Sequence, residues 1–370
     1  MSLFGSAALS YLGVDIGSSS VKLVELKRVE NKVALVSYGF SDHLAETYPD
    51  ISRLDIKAIT SAIESVVRKA GFSPTHNVVA SLPTYAVFSS IINVNGKLNE
   101  KDLNSAIIWE AKKVIPLPLQ DIVLDYQKIN QAVVPRLSAK TKTKTESADQ
   151  IKSADVTRPA NQKVLLIGAP RTLIKSYVYA FKSLNYNLSS LETEIFGLIR
   201  SLVGNDKATC MVVQMGANST NLFIVDGGVP VLSRSIDVGG LAVTKAIAKN
   251  LQLSLDKAEQ FKYDLAAQGG GQLSKMILDA LAPVFNEIRY ISEVYNQKEA
   301  NDIQRIILTG GSASLYGLAD YLSQILEANV VVGDPWFRVS YPVELKPVLE
   351  QIGPRMAVAI GLAMREYDKG

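Results

Sequence analysis

Asp15, Gly17, Ser18, Ser19, Ser20 and Lys22 fall within one short stretch, YLGVDIGSSSVKLVEL from Tyr11 to Leu26, and residues of these types could hold an anion. Glycine lets the main chain approach a phosphate, small side chains leave the turn's amides uncovered, and hydroxyls add donors. Asp15, at the mouth of the turn, is placed to hold Mg2+, through waters because that ion keeps its hydration shell. Lys22 could reach back to the same group as a point charge. A purely structural turn would use the same residues, so the motif alone does not decide. It returns, however, in Cys210 to Val225 (CMVVQMGANSTNLFIV). Laid beneath the first stretch without gaps, Gly216 matches Gly17, Ser219 matches Ser20 and Leu222 matches Leu23, which predicts two related halves, each opening on an apolar strand, a small-residue turn and a second strand.

Two glycine pairs extend the set. Gly239-Gly240 precedes a helical stretch, so its amides and the helix N-terminus could meet an anion or a ribose; Gly310-Gly311 follows an apolar strand, where missing side chains would let a flat base or sugar lie on the backbone. Each pair could also be a tight strand-to-helix turn. Together with the repeated hairpin they describe one nucleotide cleft between two halves. Other phosphate devices are absent: there is no G-x-x-x-x-G-K-[ST], and no G-x-G-x-x-G follows a strand. Two histidines (His43, His76) and one cysteine (Cys210) exclude a Cys/His metal site and an intramolecular disulfide. With 39 basic and 36 acidic residues, the net charge of +3 excludes a dedicated nucleic-acid binder.

These residues need positioning elements. Helical spacing appears at Leu54–Ala70, ended by Gly71, at Glu100–Val114, ended by Pro116 and Pro118, and at Leu173–Leu184, Leu188–Leu202, Leu241–Leu251 and about Leu278–Gln297. Val78–Leu82, Ile122–Tyr126 and Val164–Ile167 read as strands, and Arg305–Leu326 as strand, glycine pair and helix. Residues 131–163 lose the apolar runs and carry seven basic against three acidic residues, which predicts a disordered insertion. Gly269–Gly271 marks a further break. Strands alternating with helices in two halves predict an α/β fold with ligand bound in the cleft. No stretch is long and apolar enough for a membrane span, the N-terminus lacks a signal-peptide pattern, and the C-terminal residues lack an amphipathic basic face, so a cytoplasmic chain without direct membrane insertion is expected.

In this order the segments resemble the actin/Hsp70/sugar-kinase superfamily: phosphate-1 (GVDIGSSSVK), connect-1 (LETEIFGLIRSL), phosphate-2 (VVQMGANSTNLFIV), adenosine (IILTGGSASLYGLADYL) and connect-2 (MAVAIGLAMRE). Within it the chain is most similar to the PilM family of actin-like proteins in type IV pilus assembly, above all in YLGVDIGSSSVKLVEL and AIIWEAKKVIPLPLQDIVLDYQ. The resemblance implies an actin-like (ribonuclease H-like) fold with two halves around a nucleotide cleft and an inserted 1C-type subdomain. The boundaries are 1–85 (first half, 1A), 86–167 (1C-like, with the insertion 131–163), 168–209 (return and connect-1), 210–355 (second half) and 356–370 (connect-2 helix and stub).

It also implies ATP and Mg2+ as ligands. Asp15 resembles the Mg2+-organising aspartate, and Gly17, Ser18, Ser19 and Lys22 the phosphate cradle. Gly216, Asn218 and Ser219 belong to the second cradle, and Gly239, Gly240, Thr244, Glu287, Gly310, Gly311 and Ser312 to the ribose, base and phosphate contacts. Glu194 occupies the connect-1 position that orients an attacking water, with Glu192 as the alternative. Two departures predict at most slow ATPase activity. Gln214 replaces the aspartate that usually opens phosphate-2, and Tyr290 and Ile291 replace Arg and Ser on the adenosine-side helix, where Tyr290 could stack on a base or pack in the core. The implied function is an ATP-binding platform that binds the short cytoplasmic N-terminal tail of a PilN-like single-pass membrane protein, and so lies peripheral to the inner face of the cytoplasmic membrane. Trp109, Ile115, Leu117 and Leu119 are candidates for the tail groove, although each residue type also suits a core. Self-association is left open. The alternatives are an FtsA-like division protein and a small-molecule kinase of the same superfamily.

Overall fold

The computed structural model describes residues 10–30, 32–41, 56–72, 77–129, 161–267, 273–298 and 302–367. The chain divides into two compact units, Met1–Val87 with Pro170–Gly370, and Phe88–Ala169. In order along the chain, β1 (Ser10–Ile16), β2 (Val21–Val29) and β3 (Lys32–Ser41) precede α1 (Ile56–Ala70) and β4 (Asn77–Leu82). The smaller unit holds β5 (Phe88–Asn95), α2 (Glu100–Val114), β6 (Ile122–Ile129) and most of β7 (Asn161–Pro170). The chain returns through α3 (Arg171–Ser183), β8 (Asn187–Thr193) and α4 (Glu194–Leu198), which runs on as a π-turn, Ile199–Val203. Then come β9 (Cys210–Met215), β10 (Thr220–Asp226), β11 (Val229–Ile236), α5 (Gly240–Leu251), α6 (Leu255–Ala267) and α7 (Lys275–Lys298). The last elements are β12 (Arg305–Thr309), α8 (Leu318–Leu326), β13 (Val330–Val332), β14 (Val339–Ser340) and α9 (Lys346–Ala363).

The larger unit contains two sheets of one topology. The first has strand order β14-β3-β2-β1-β4-β8 and the second β11-β10-β9-β12-β13. In each, two strands joined by antiparallel pairing lie on one side of the opening strand and two parallel strands on the other; the first sheet adds β14, parallel to β3, at its edge. The repeat seen in the sequence is therefore a repeat of whole sheets. Strands buried on both faces read as apolar runs, as in Val78–Ala80 and Cys210–Val213.

Helix α9 enters the cores of both sheets. Its Met356, Ala359, Ile360 and Ala363 pack with Val24 and Leu26, while Ala357, Val358 and Leu362 pack with Val79, Val212 and Phe223. A helix apolar all round is what such a position requires. It starts at Lys346 rather than 356, since Pro354 is held inside it: the Pro354 carbonyl accepts from Gly310 N–H and Thr309 Oγ1, both at 2.8 Å, which ties the end of β12 to the helix. Helix α4 crosses α9 backbone to backbone. A Cβ on Gly197 would stand 2.9 Å from the Val358 carbonyl, and one on Gly361 would overlap the Gly197 carbonyl, so neither position accepts a side chain at this spacing.

The helix expected at Leu188–Leu202 begins only at Glu194. Its first part is strand β8, whose pairing with the buried β4 (Ala80 opposite Leu191, Leu82 opposite Thr193) overrides the helical spacing of its leucines. In the smaller unit, Leu103, Ile107 and Ala111 on one face of α2 pack on Ile92, Val94, Ile122, Val164 and Leu166 of a three-stranded sheet, β5-β7-β6. Its limits, Phe88 and Ala169, differ from the expected 86–167 because β5 starts after the Thr84–Ala86 turn and β7 runs on to Pro170. The proposed insertion 131–163 overlaps β7 at Asn161–Lys163, which are strand; its remainder lies outside the described residues, as do His43, His76 and Gly269–Gly271.

Candidate functional site

The two hairpin turns close in the same way. Gly17 N–H donates to Ser20 O, and Gly216 N–H donates to Ser219 O, each at 2.9 Å. Strand register then places Asp15 opposite Lys22 in the first sheet and Gln214 opposite Asn221 in the second. The first pair is ionic: Lys22 Nζ lies 3.0 Å from Asp15 Oδ2, and Ser81 Oγ donates to Asp15 Oδ1 at 2.9 Å. The second pair is neutral, with Asn221 Nδ2 donating to Gln214 Oε1 at 3.3 Å. One fold element therefore carries a carboxylate and an ammonium in one half and two amides in the other.

Glu194 sits between these pairs, at the first position of α4, buried. One of its oxygens, Oε2, accepts from Thr84 Oγ1 at 2.5 Å, from Asn221 Nδ2 at 3.0 Å and from Thr84 N–H at 3.4 Å. Asn221 is itself fixed, because its Oδ1 accepts from Ser235 Oγ at 2.8 Å. Loss of water around the carboxyl pushes Glu194 up to about 7, and the charge of Asp15 adds to this, against the Thr84 hydrogen bonds and the Lys22 charge. Burial holds the Tyr177 hydroxyl far above its ordinary value, and the charges of Asp15 and Glu194 add to this.

Opposite the turns, Gly310 (φ +88°) brings β12 against the Met215 backbone at a distance where a Cβ would collide with its carbonyl. Gly311 beside it faces open space. Ser312 is buried at the start of a short 3-10 turn, Gly311–Ser314. Helices α5 and α6 meet through Lys262 Nζ, which donates to Glu259 Oε2 at 2.7 Å and to Thr244 Oγ1 at 3.0 Å. The Thr244 hydroxyl also contacts Glu259. Burial pulls the Lys262 ammonium below its ordinary value, while Glu259 opposes that.

A cavity of about 720 Å3 joins these groups, within the usual range for a small-molecule site. Of the residues predicted from sequence, Gly17, Ser18, Ser19, Lys22, Glu194, Gln214, Gly216, Asn218, Ser219, Gly240, Thr244, Gly310, Gly311 and Ser312 line it. Asp15 stands behind the lining, held by Lys22 and Ser81.

Other expectations change. The Gly240 amide is not open to an anion: it donates to Gly216 O at 2.9 Å, and Leu241 N–H donates to Ala217 O at 2.8 Å, so the start of α5 pins the second turn. Gly239 serves that packing, since a Cβ there would fall 2.5 Å from Gly216 O, and it does not line the cavity. Glu287 is drawn to Arg234 at 2.7 Å and Tyr290 is exposed; neither lines the cavity. Glu192, the alternative to Glu194, is bound by Arg200 and Arg365, each at 2.5 Å, outside the lining. In the smaller unit, Ile115 belongs to the core and Leu119 packs on it, so their side chains support the fold; Trp109 and Leu117 are 61% and 52% exposed.

Sequence reasoning missed Thr84, Asn221, Glu259 and Lys262. Asn221 was recoverable, as it stands in the repeat where Lys22 stands in the first hairpin. The other three carry no motif: Glu259 and Lys262 reach the cavity, and Thr84 reaches Glu194 behind it, only through tertiary packing.

The chain matches the family described as "Type IV pilus assembly protein PilM" over residues 13–367. Cell division protein FtsA of Bacillus subtilis (strain 168) is 21% identical over 358 residues, which cover 88% of this chain and 78% of that protein. FtsA of Enterococcus faecalis (strain ATCC 700802 / V583) is 22% identical over 355 residues, covering 86% and 77%. Among solved structures, a PilM-PilN type IV pilus biogenesis complex superposes with a TM-score of 0.76 at 25% identity, covering 96% of this chain and 98% of that one. MreB5 of Spiroplasma citri bound to AMPPNP has a TM-score of 0.52 at 12% identity, with 98% and 97% covered, and shares the fold. The two repeated sheets are thus those of the actin-like ATPases, and the chain belongs to the PilM family of type IV pilus assembly proteins.

Proposed function

We propose that this protein is an ATP-binding platform of type IV pilus assembly, recruited to the inner face of the cytoplasmic membrane by the short cytoplasmic tail of a PilN-like membrane protein. The observation that carries the nucleotide reading is the pair of matching turns, Gly17–Ser20 and Gly216–Ser219, facing one cavity whose far wall, at Gly311, has no side chain. Asn218 supports it: its Oδ1 is a buried acceptor with no hydrogen-bond partner within the second turn. A metal-bound water would satisfy that acceptor, and with the amide turned over the same group would donate to a phosphate oxygen.

The residues fit ATP with Mg2+ held through waters. No cluster of three His, Cys, Asp or Glu side chains able to cage an ion exists among the described residues, and both oxygens of Asp15 are engaged. Asp15 would therefore orient metal-bound waters, while Ser18, Ser19 and Lys22 hold phosphate oxygens. When bound, Mg2+ neutralises phosphate charge. Glu194 would orient a water molecule from the connect-1 side, but burial raises its carboxyl to about 7 and so favours the neutral acid, and Gln214 brings no charge to assist it. At most slow turnover is the consequence.

For the partner, support comes from the fold shared with the PilM-PilN complex and from the exposed Trp109 and Leu117 of the smaller unit. No helix among the described residues is long and apolar enough to cross a membrane, so a membrane position would be supplied by that partner. A peptide copying the tail, titrated into the protein with and without Mg·ATP, tests the reading. Saturable binding that shifts with nucleotide in the wild type, but not in Asp15→Ala, supports it; no binding returns the FtsA-like reading, which the identity to FtsA proteins keeps in view.

A further inference from the structure

The chain enters the smaller unit after Val87 and leaves it before Pro170. The two crossings lie side by side, because β5 and β7 are antiparallel partners with Phe88 opposite Gly168. The segment before the first crossing is a tight turn, in which Ala86 N–H donates to Pro83 O at 3.0 Å and Val87 N–H to Thr84 O at 3.3 Å. Pro83 and Tyr85 line the cavity, whereas Thr84, between them, is turned to Glu194. Parallel pairing of β4 with β8 sets this up: Leu82 stands opposite Thr193, so the residues just beyond the two strand ends meet. Thr84 is engaged on both sides. Its hydroxyl and N–H donate to Glu194 Oε2, and its carbonyl holds Val87, the residue before β5. The segment after the second crossing reaches the same place, since Tyr177 of α3 is buried where the charges of Asp15, Tyr85 and Glu194 act on its hydroxyl. The remaining donor to Oε2, Asn221, comes from the second sheet. A displacement at Val87 is therefore felt by one set of donors to this oxygen and not by the other, and such bonds weaken steeply with lost alignment.

We infer that the Pro83–Val87 turn, acting through Thr84 on Glu194, couples the state of the smaller unit to that of the nucleotide cleft. The inference rests on the nucleotide reading of the cleft and names how that site is regulated. Thr84 is a positioning residue: it does not line the cavity and acts through Glu194. A nucleotide that fixes Glu194 through an oriented water also fixes Thr84, and through Val87 the start of β5. Coupling between two sites is reciprocal, so a ligand of the smaller unit that alters the cleft is itself favoured or opposed by nucleotide to the same degree. Nucleotide alone is then a sufficient probe.

The test is amide hydrogen exchange on the full chain, with and without saturating Mg·AMPPNP, whose occupancy is checked by calorimetry. Bound nucleotide is expected to slow exchange in β5 by about fivefold or more, the lower end of the usual coupling between sites. Thr84→Val keeps the side-chain shape and removes the hydroxyl, and is expected to lose this slowing at full occupancy. Thr84→Ser keeps the hydroxyl and retains it. Slowing of equal size in all three proteins is what general stabilisation by a ligand would give, and it overturns the inference. Wild-type protein that binds Mg·AMPPNP with β5 unmoved also overturns it while leaving the nucleotide reading in place, and this arm needs no variant to fold. No binding of Mg·AMPPNP overturns the nucleotide reading and the inference with it.

Discussion

Replacing Glu194 with glutamine should make the protein more stable at pH 8 and leave it unchanged near pH 4.5. All three hydrogen bonds to this carboxyl end on one oxygen, Oε2, so a glutamine carbonyl placed there still accepts from Thr84 and Asn221. What changes is the charge. Folding raises Glu194 from 4.5 to about 7, so the folded state holds an extra proton across that window. Stability therefore falls as pH rises through the window, and the burden is fully present above about pH 7. The interval from 4.5 to about 7 corresponds to roughly 3 kcal/mol. Urea denaturation at several pH values, followed by fluorescence, reads this directly, because Trp336 is fully buried in the same unit with its indole N–H donating to Leu349 O at 2.9 Å. Carboxylates that do not interact with Glu194 cancel in the difference between the two proteins, whereas Asp15, whose charge acts on Glu194, contributes to it. A difference that does not change with pH, or a glutamine variant less stable than wild type at pH 8, would refute the reasoning.

Further outcomes follow from the same geometry. Asn221→Ala removes the donor shared by Glu194 and Gln214, and should cost about 1–3 kcal/mol while moving the Glu194 titration higher, as followed by the pH dependence of unfolding. Gly361→Ala forces a Cβ onto the Gly197 carbonyl where α4 crosses α9, and should destabilise by about 1–3 kcal/mol or more in a thermal melt. The neighbours Gly310 and Gly311 should part company. Gly310→Ala strains a positive-φ position and lowers stability by more than about 1 kcal/mol. Gly311→Ala leaves stability alone but weakens Mg·ATP binding about tenfold or more, because its methyl group enters the cavity.

The parts of this structure that sequence makes visible are those set by local chemistry. Gly17 and Gly216 announce two equivalent turns because only a small-residue turn joins these strands, and Ile59, Ile63 and Val66 announce α1 because their spacing makes one buried face. The parts that stay hidden depend on what a segment packs against. Leu188 and Leu191 suit a helix until parallel pairing with β4 makes them a strand. Helix α6 has no strong apolar face, with Leu255, Tyr263 and Leu265 exposed, so Glu259 and Lys262 give no signal until α5 is placed beside them. The glycines at 239 and 240 were visible as special, but their purpose was not: they let α5 grip the second turn, a contact that sequence spacing does not reveal. Likewise Thr84 meets Glu194 across a separation no local pattern spans.

The central claim is that the cavity between the two repeated sheets binds nucleotide through the Gly17–Ser20 and Gly216–Ser219 turns. Calorimetric titration of Mg·ATP into the purified protein, beside Lys22→Ala and Gly311→Ala, tests it most directly. The account predicts saturable one-to-one binding in the wild type that both variants weaken. No binding by a folded wild-type protein, or equal affinity in all three, would contradict it.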